Sequence, residues 1–150
     1  MVHRDLTAAG ILFYSQSTNR RLFLLRASRK NREMWGLVGG KMEEGETLHE
    51  GMLRECQEEI GFIPDIIKTI PIEKFTSPDG HFQFHTFIGV VEQEFVPKLN
   101  QEHIGYAWID SGIWPSPLHP GLRSTVNFRE IIAKIDWIGD NLLSSYKEHI

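Results

Sequence analysis

Three glutamates, Glu55, Glu58 and Glu59, lie at helical spacing in the middle of the sequence. A helix advances by about 100° per residue and therefore places their carboxylates within an arc of about 100°. An adjoining arc of similar width carries the packing residues Met52, Leu53, Cys56 and Ile60. Like charges at these spacings weaken an isolated helix by roughly 0.2–0.5 kcal/mol per pair, so we expect a compensating positive group. Because hard divalent cations take oxygen ligands, the cluster indicates a metal site.

Glycines surround this acidic cluster in the sequence. Gly51 falls on the carboxylate side of the same helix, where we expect the missing side chain to leave room for a metal ion, water or phosphate. Gly39 and Gly40 predict a turn that brings backbone carbonyls and amides close to the carboxylates. The alternative is that the three glutamates form only a solvated acidic face, as they do in many helices.

The segment from Gly40 to Phe62 resembles the Nudix box, in which glycine and glutamate precede an Arg-Glu-x-x-Glu-Glu core at fixed spacing. It matches the box at Gly40, Glu46, Arg54, Glu55, Glu58, Glu59, Gly61 and Phe62. Cys56 stands at a position that is usually apolar, and Val38, just upstream of the box, stands where proline is frequent. The resemblance favours the metal site over a solvated face. It implies an α/β fold, the Nudix-type α/β/α sandwich with a mixed central sheet.

The resemblance also implies an activity, which is metal-dependent hydrolysis of the diphosphate linkage in nucleoside diphosphate-X compounds. ADP-ribose, nucleotide sugars and nucleoside triphosphates all remain open as substrates, with Mg²⁺ or Mn²⁺ as the cofactor. The implied metal ligands are Glu55, Glu58, Glu59, Glu102 and the carbonyl oxygen of Gly39. Either Glu55 or Glu102 is the general base, and Arg54 forms an ion pair with Glu46 and orients a glutamate.

Basic and aromatic side chains near the box are the candidate substrate ligands. Basic residues suit the phosphates, and those ahead of the box or at its start are Arg26, Arg29, Lys30, Arg32 and Lys41. Trp35 and Phe84 are candidates for stacking on a base, as are Phe13 and Phe82, although aromatic residues in strands more often belong to the core. The segment Phe75–Pro78 resembles one found in ADP-ribose-cleaving relatives, but a tight turn at Ser77–Gly80 explains the proline equally well.

Two other interpretations of the same motif remain open. The chain is then either a catalytically silent nucleotide-binding or regulatory Nudix-like module, or an unrelated α/β protein with an acidic helix. The complete set of box glutamates argues against a silent module, because binding alone does not need all three.

Composition limits the class of protein. The chain has 150 residues, a formal net charge of -4 and a pI near 6.0. This length suits one domain over residues 1–150, and the acidic balance predicts a small nucleotide partner and no long nucleic acid. No apolar run approaches the ~20 residues of a membrane span. A single cysteine, Cys56, fits packing in the core and a reducing compartment, so we expect a cytoplasmic protein, and family relatives suggest a homodimer.

The elements that must position the box follow from local patterns. Residues 7–14 and 21–26 predict a β-hairpin, and residues 66–75 and 81–91 predict a second one. Thr47 and Glu50 have the spacing of a capping box, and Gly61 supplies a stop, so residues 47–60 predict a helix. A short strand is expected at residues 106–109, and a C-terminal helix at residues 124–146 with a break at Gly139.

Overall fold

The computed structural model describes residues 5–27, 33–118 and 128–143. Its strands are β1 (Leu6–Ser15), β2 (Arg20–Arg26), β3 (Trp35–Gly36), β4 (Val38–Lys41), β5 (Lys68–Thr76), β6 (Phe82–Val91) and β7 (His103–Asp110). Its helices are α1 (Leu48–Ile60) and α2 (Phe128–Ile138), and a π-helical segment, Gly139–Leu143, follows α2. The break expected at Gly139 is therefore a change of helix type. The outer ends of the predicted C-terminal helix lie outside the described residues.

The seven strands form one mixed sheet. Its order is β3-β2-β1-β6-β5, with β4 also paired to β1 and β7 paired to β2. β1 and β6 run parallel along their whole length, and the other pairs are antiparallel. The predicted mixed central sheet is confirmed, as is the pairing of both predicted hairpins.

The first hairpin is shorter than its sequence suggests. Only Tyr14 and Ser15 of β1 pair with β2, while the first half of β1 pairs with β4. The turn predicted at Gly39–Gly40 is wrong, because both glycines belong to β4 and lie opposite β1. Gly39 has φ +154°, and a side chain there would collide with the carbonyl group of Ala9. The glycines therefore permit a close strand pair rather than a turn.

Apolar side chains of the sheet alternate between its two faces. Ile11 and Phe13 of β1 belong to a buried cluster with Met52, Cys56 and Ile60 of α1. Leu12 and Tyr14 belong to a second cluster on the other face, whose α2 members are Ile131, Ile135 and Ile138. A helix thus covers each face, which is the α/β/α arrangement. Cys56 is fully buried, so the prediction of core packing is confirmed. Within the described residues, no helix combines the length and apolar character needed to cross a bilayer.

The start of α1 is fixed by local hydrogen bonds. The Thr47 hydroxyl accepts from the amide of Glu50 at 3.1 Å, and the Glu50 carboxylate accepts from the amide of Thr47 at 3.1 Å. Such a cap contributes about 1 kcal/mol to helix stability. Gly61 ends the helix in the left-handed conformation, and the amide of Lys98 caps the carbonyl of Ile60. The predicted helix and both of its signals are confirmed, and the box carboxylates are held on a rigid element.

Candidate active site

Glu59 of α1 is the most buried carboxylate of the site, with 1% of the residue exposed. Its Oε1 accepts a 2.6 Å hydrogen bond from the amide of Gly39 in β4. Its Oε2 accepts no hydrogen bond from the described residues, and Nε2 of His103 lies 3.5 Å away. Burial raises the pKa of Glu59 to about 9, an effect that the Gly39 amide opposes and the carboxylate of Glu55 reinforces. The surroundings of Glu59 therefore favour a positive charge beside its Oε2.

Glu55 lies one turn earlier on α1 and is 8% exposed. Its carboxylate lies against Gly40, where an added Cβ would come within 2.8 Å of Oε1. Burial raises the pKa of Glu55, and the neighbouring guanidinium of Arg54 opposes that rise. Gly40 thus gives the Glu55 carboxylate access to the surface of β4.

Arg54 donates hydrogen bonds to three of the glutamates of the Nudix-like segment. Its Nε and Nη2 donate to the two oxygens of Glu46 at 2.7 and 3.0 Å, and Nη1 donates to Glu55 at 3.1 Å. It also contacts Glu58 at 3.2 Å and the carbonyl of Lys41 at 3.0 Å. The ion pair with Arg54 lowers the pKa of Glu46 and raises that of Arg54. The pair implied by the resemblance is present, and its geometry fixes the direction of Glu55.

Glu58 and Glu102 are the exposed carboxylates of the group. The Glu58 side chain is 52% exposed, and its backbone carbonyl accepts from the Asn100 side-chain amide at 2.8 Å. The same Asn100 side chain accepts from the amide of Glu102 at 2.9 Å. Asn100 therefore ties the loop before β7 to the end of α1. As a result, ligand atoms of Glu59, Glu102 and His103 all lie within 4.8 Å of one another.

A cleft with a volume of about 230 Å³ runs along the glycines of β4, and the carboxylates of Glu55 and Glu59 lie against those glycines. Arg26 and Lys41 line it, as does the ring of Phe84 from β6. The Nε of Arg26 is buried and makes no hydrogen bond with the described residues. The cleft thus combines apolar walls with two cations next to a carboxylate cluster, an arrangement that suits a phosphorylated aromatic ligand.

Comparison with known proteins adds the family. A model of the NUDIX domain matches residues 4–123. The chain belongs to the Nudix family. Its Nudix box lies on α1 and on the strand and loop that precede it.

Individual Nudix proteins resemble the chain over different lengths. Dihydroneopterin triphosphate diphosphatase of Escherichia coli is 30% identical over 128 residues, with 73% of this chain and 81% of that protein covered. ADP-ribose pyrophosphatase of Methanocaldococcus jannaschii is 31% identical over 91 residues, with 58% and 51% covered. A protein of Caenorhabditis elegans named as a nudix hydrolase is 24% identical over 105 residues, and the match spans only 28% of that longer protein.

A solved structure supports the same fold. The crystal structure of the MutT NUDIX hydrolase from Burkholderia pseudomallei matches with a TM-score of 0.66. The match covers 88% of this chain and 98% of that chain at 19% identity. The α/β sandwich predicted from the Nudix box is thereby confirmed.

Nudix enzymes generally use divalent cations, and the residues of this site fit such an ion. Glu59 offers a buried oxygen that accepts no hydrogen bond from the described residues, and carboxylates of Glu55 and Glu102 lie near enough to raise its pKa. Carboxylate oxygens are the donors that Mg²⁺ and Mn²⁺ prefer. The ligand roles predicted for Glu55, Glu58, Glu59, Glu102 and the Gly39 carbonyl all remain predictions.

One expectation about space in the Nudix site is wrong, and one predicted substrate ligand lies away from the cleft. Gly51 is buried beneath Met42, and the side chain of Met42 occupies the place where a metal ion, water or phosphate was expected. Trp35, predicted as a substrate ligand, packs against the core cluster on the α2 face and does not line the cleft. Its backbone pairs with the segment around Leu118, which holds it there. Arg29, Lys30 and Arg32 lie outside the described residues.

His103 is the site residue that the sequence patterns did not reveal. It is 4% exposed and begins β7, three residues before the strand expected at residues 106–109. Its position directly after Glu102 is the only signal in the sequence. A histidine with no metal-binding spacing gives no reason to expect a place beside the box.

Proposed function

We propose that this Nudix protein hydrolyses the diphosphate linkage of a small nucleoside diphosphate-X compound with the help of a divalent cation. The observation that supports this most is the convergence of Glu55, Glu59 and Glu102 beside a cleft that Arg26 and Lys41 line. A carboxylate cluster alone would repel a diphosphate. The basic side chains next to the cluster, together with a metal ion, offset this repulsion, so that a diphosphate can bind beside the carboxylates.

The side chains of the site bind the metal ion, bind phosphate or accept a proton in this proposal, and Glu55 does both the first and the last. When bound by Glu55, Glu58, Glu59 and Glu102, the metal ion supplies positive charge that neutralises the diphosphate. Arg26 and Lys41 bind phosphate oxygens, and Arg26 has a buried donor available for one of them.

Glu55 is the better of the two candidates for the general base. Its carboxylate lies beside Gly40, which lines the cleft, and Arg54 holds its direction. Glu102 is exposed and reaches the site from a loop, so we assign it to metal binding.

The cleft favours a single flat ring system next to the phosphates. Phe82, Phe84 and Leu37 give it apolar walls, and its volume of about 230 Å³ suits a compact group. The Escherichia coli relative, which the chain covers over most of its length, is named for a triphosphate with such a ring. We therefore place nucleoside triphosphates and similar triphosphates ahead of ADP-ribose and nucleotide sugars.

The test is hydrolysis of a substrate panel with Mg²⁺, with the products separated by chromatography. The panel contains nucleoside triphosphates, dihydroneopterin triphosphate, ADP-ribose and nucleotide sugars, and compares the native chain with Glu58→Gln and the exposed control Glu92→Gln. We expect the native chain and the control to cleave one class at the diphosphate, and Glu58→Gln to lose at least about a hundredfold in kcat. Tight nucleotide binding without turnover by any of the three proteins would instead show a silent binding module.

A further inference from the structure

His103 reaches the carboxylates because of an irregularity in the sheet. The pairing of β2 with β7 shifts register between Leu25 and Arg26, so Leu25 lies opposite Gly105 while Arg26 lies opposite His103. Ile104 is the extra residue of this bulge, and it is 53% exposed. Without the bulge, Ile104 would take the place of His103 opposite Arg26, because successive strand residues point to opposite faces. The bulge therefore brings an imidazole to Glu59 in place of an alkyl group.

The distance between these two side chains suits shared ligation. Nε2 of His103 lies 3.5 Å from Oε2 of Glu59, which is longer than a good hydrogen bond of about 2.7–3.2 Å. Two ligands of one metal ion, each about 2.1 Å from it, lie roughly 3.0–3.5 Å apart at octahedral to tetrahedral angles. A ligand atom of Glu102 completes a group of three within 4.8 Å. The spacing matches donors around one cation better than it matches a direct hydrogen bond.

Burial gives a second and independent reason to expect an ion there. The Glu59 residue is 1% exposed, its Oε2 is buried, and that oxygen accepts no hydrogen bond from the described residues. A buried carboxylate oxygen in this condition costs free energy unless a positive charge faces it. Glu55 and Glu102 add negative charge to the same region and increase that need.

We propose that Glu59, Glu102 and His103 form a mixed oxygen and nitrogen site that holds Mn²⁺ in preference to Mg²⁺. The inference rests on the proposed function for the presence of a catalytic cation and adds which cation this position selects. Mg²⁺ binds oxygen donors and seldom accepts imidazole, whereas Mn²⁺ binds the same oxygen donors and, as a transition-metal dication, also accepts imidazole. The exposed Glu58 and the Glu55 carboxylate remain oxygen donors that either ion accepts.

The test is electron spin echo spectroscopy on the full chain with Mn²⁺, which detects nitrogen bonded to the ion. Samples are the native chain, the same chain with ¹⁵N-labelled histidine, His103→Gln, and His49→Gln as a control at an exposed histidine on α1. We expect nitrogen coupling that changes with the label, persists in His49→Gln and disappears in His103→Gln. We also expect the Mn²⁺ dissociation constant of His103→Gln to rise at least about tenfold, with a change of less than about threefold for Mg²⁺.

Native protein that binds Mn²⁺ without histidine nitrogen coupling would overturn the inference, and so would coupling that survives in His103→Gln. The labelled native sample decides this even where His103→Gln fails to fold. Mg²⁺-supported hydrolysis by a chain that lacks nitrogen coupling contradicts the mixed site and leaves the proposed function standing. Nitrogen-coupled Mn²⁺ in a chain that hydrolyses nothing on the panel supports the mixed site and contradicts the proposed function.

Discussion

Arg54 shows how one side chain can organise a site. Its planar guanidinium holds both oxygens of Glu46 while another nitrogen reaches Glu55, and the remaining contacts go to Glu58 and the carbonyl of Lys41. Lysine has a single nitrogen and cannot make these contacts together. The geometry of Arg54 therefore matters more than its charge.

Arg54→Lys is expected to lower kcat by about ten- to a hundredfold while the protein stays folded, because Glu55 loses its fixed direction. Steady-state kinetics and thermal unfolding measure the two effects. The matched control is Arg20→Lys, which breaks a similar two-pronged pair with Glu94 that belongs to no part of the site. An Arg54→Lys enzyme with native kcat would show that charge alone suffices.

Gly40 has a different role, since it leaves space for a carboxylate. A Cβ at Gly40 would lie 2.8 Å from Oε1 of Glu55, which is the mobile end of a flexible side chain. Gly40→Ala should therefore shift this carboxylate, lower kcat by at least about tenfold and change the unfolding free energy by less than about 1 kcal/mol. Gly105→Ala is the control, because a Cβ there meets only Leu25 at 3.9 Å. Equal kinetics for the two variants would contradict the assignment of Glu55.

Spacing in the sequence places the three box glutamates on one side of a helix but does not rank them. Glu59 is buried and Glu58 exposed because β4 and the loop before β7 cover only part of that side. His103 enters through a bulge that depends on how two distant strands align. Such a register is a property of the assembled sheet, so no local pattern in the sequence could reveal it.

Elements show the same division between local and long-range causes. The capping box and the glycine stop define α1 within the sequence itself, and the structure confirms both. By contrast, only two residues of β1 pair with β2, because the first half of β1 pairs with β4. A run of apolar residues records that β1 is buried on both faces, but it does not record which neighbour each half takes.

The contact of β5 with α2 gives a pH-dependent prediction at this scale. Glu73 follows the bulge in β5, and its Oε2 is buried without a hydrogen bond from the described residues. Burial raises the pKa of Glu73 above its usual 4.5, and Lys134 of α2 opposes the rise. The fold thus favours the protonated form, so the stability that Glu73 contributes is present below about pH 4 and lost as pH rises through the folded pKa.

At pH 7, the free energy of unfolding of Glu73→Gln should therefore exceed that of the native chain by about 0.5 kcal/mol. The variant should accordingly unfold at a higher denaturant concentration. The difference should shrink as pH falls through the folded pKa and be smallest below the usual value of 4.5, where the carboxyl is mostly protonated in both states. Denaturant titrations from pH 4 to pH 8 measure it, with Glu92→Gln as an exposed control. A Glu73→Gln chain that is less stable at pH 7 would show that the attraction of Lys134 outweighs desolvation.

At the scale of the whole molecule, a buried cation joins the sheet to its second helical layer. Arg21 of β2 is 1% exposed and contacts Asp136 of α2 at 2.8 Å. It also donates to the carbonyl of Ile113 at 2.7 Å, and its guanidinium lies 4.6 Å from the ring centre of Trp114. Burial lowers the pKa of Arg21, and Asp136 opposes that effect. The network lies on the α2 layer, whereas the box carboxylates belong to α1.

Asp136→Asn should leave the charge of Arg21 buried without its counterion and destabilise the chain by about 2–3 kcal/mol, because Asp136 is partly exposed. The double variant Arg21→Met with Asp136→Leu should recover most of this loss, since it removes the buried charge together with its partner. Thermal and denaturant unfolding give both values, and Asp65→Asn, between α1 and β5, is an exposed control. Turnover per folded molecule should stay within about twofold of the native value, because the box carboxylates lie on α1. An Asp136→Asn chain within about 0.5 kcal/mol of the native one would mean that the carbonyl and ring contacts of Arg21 hold α2 without the ion pair.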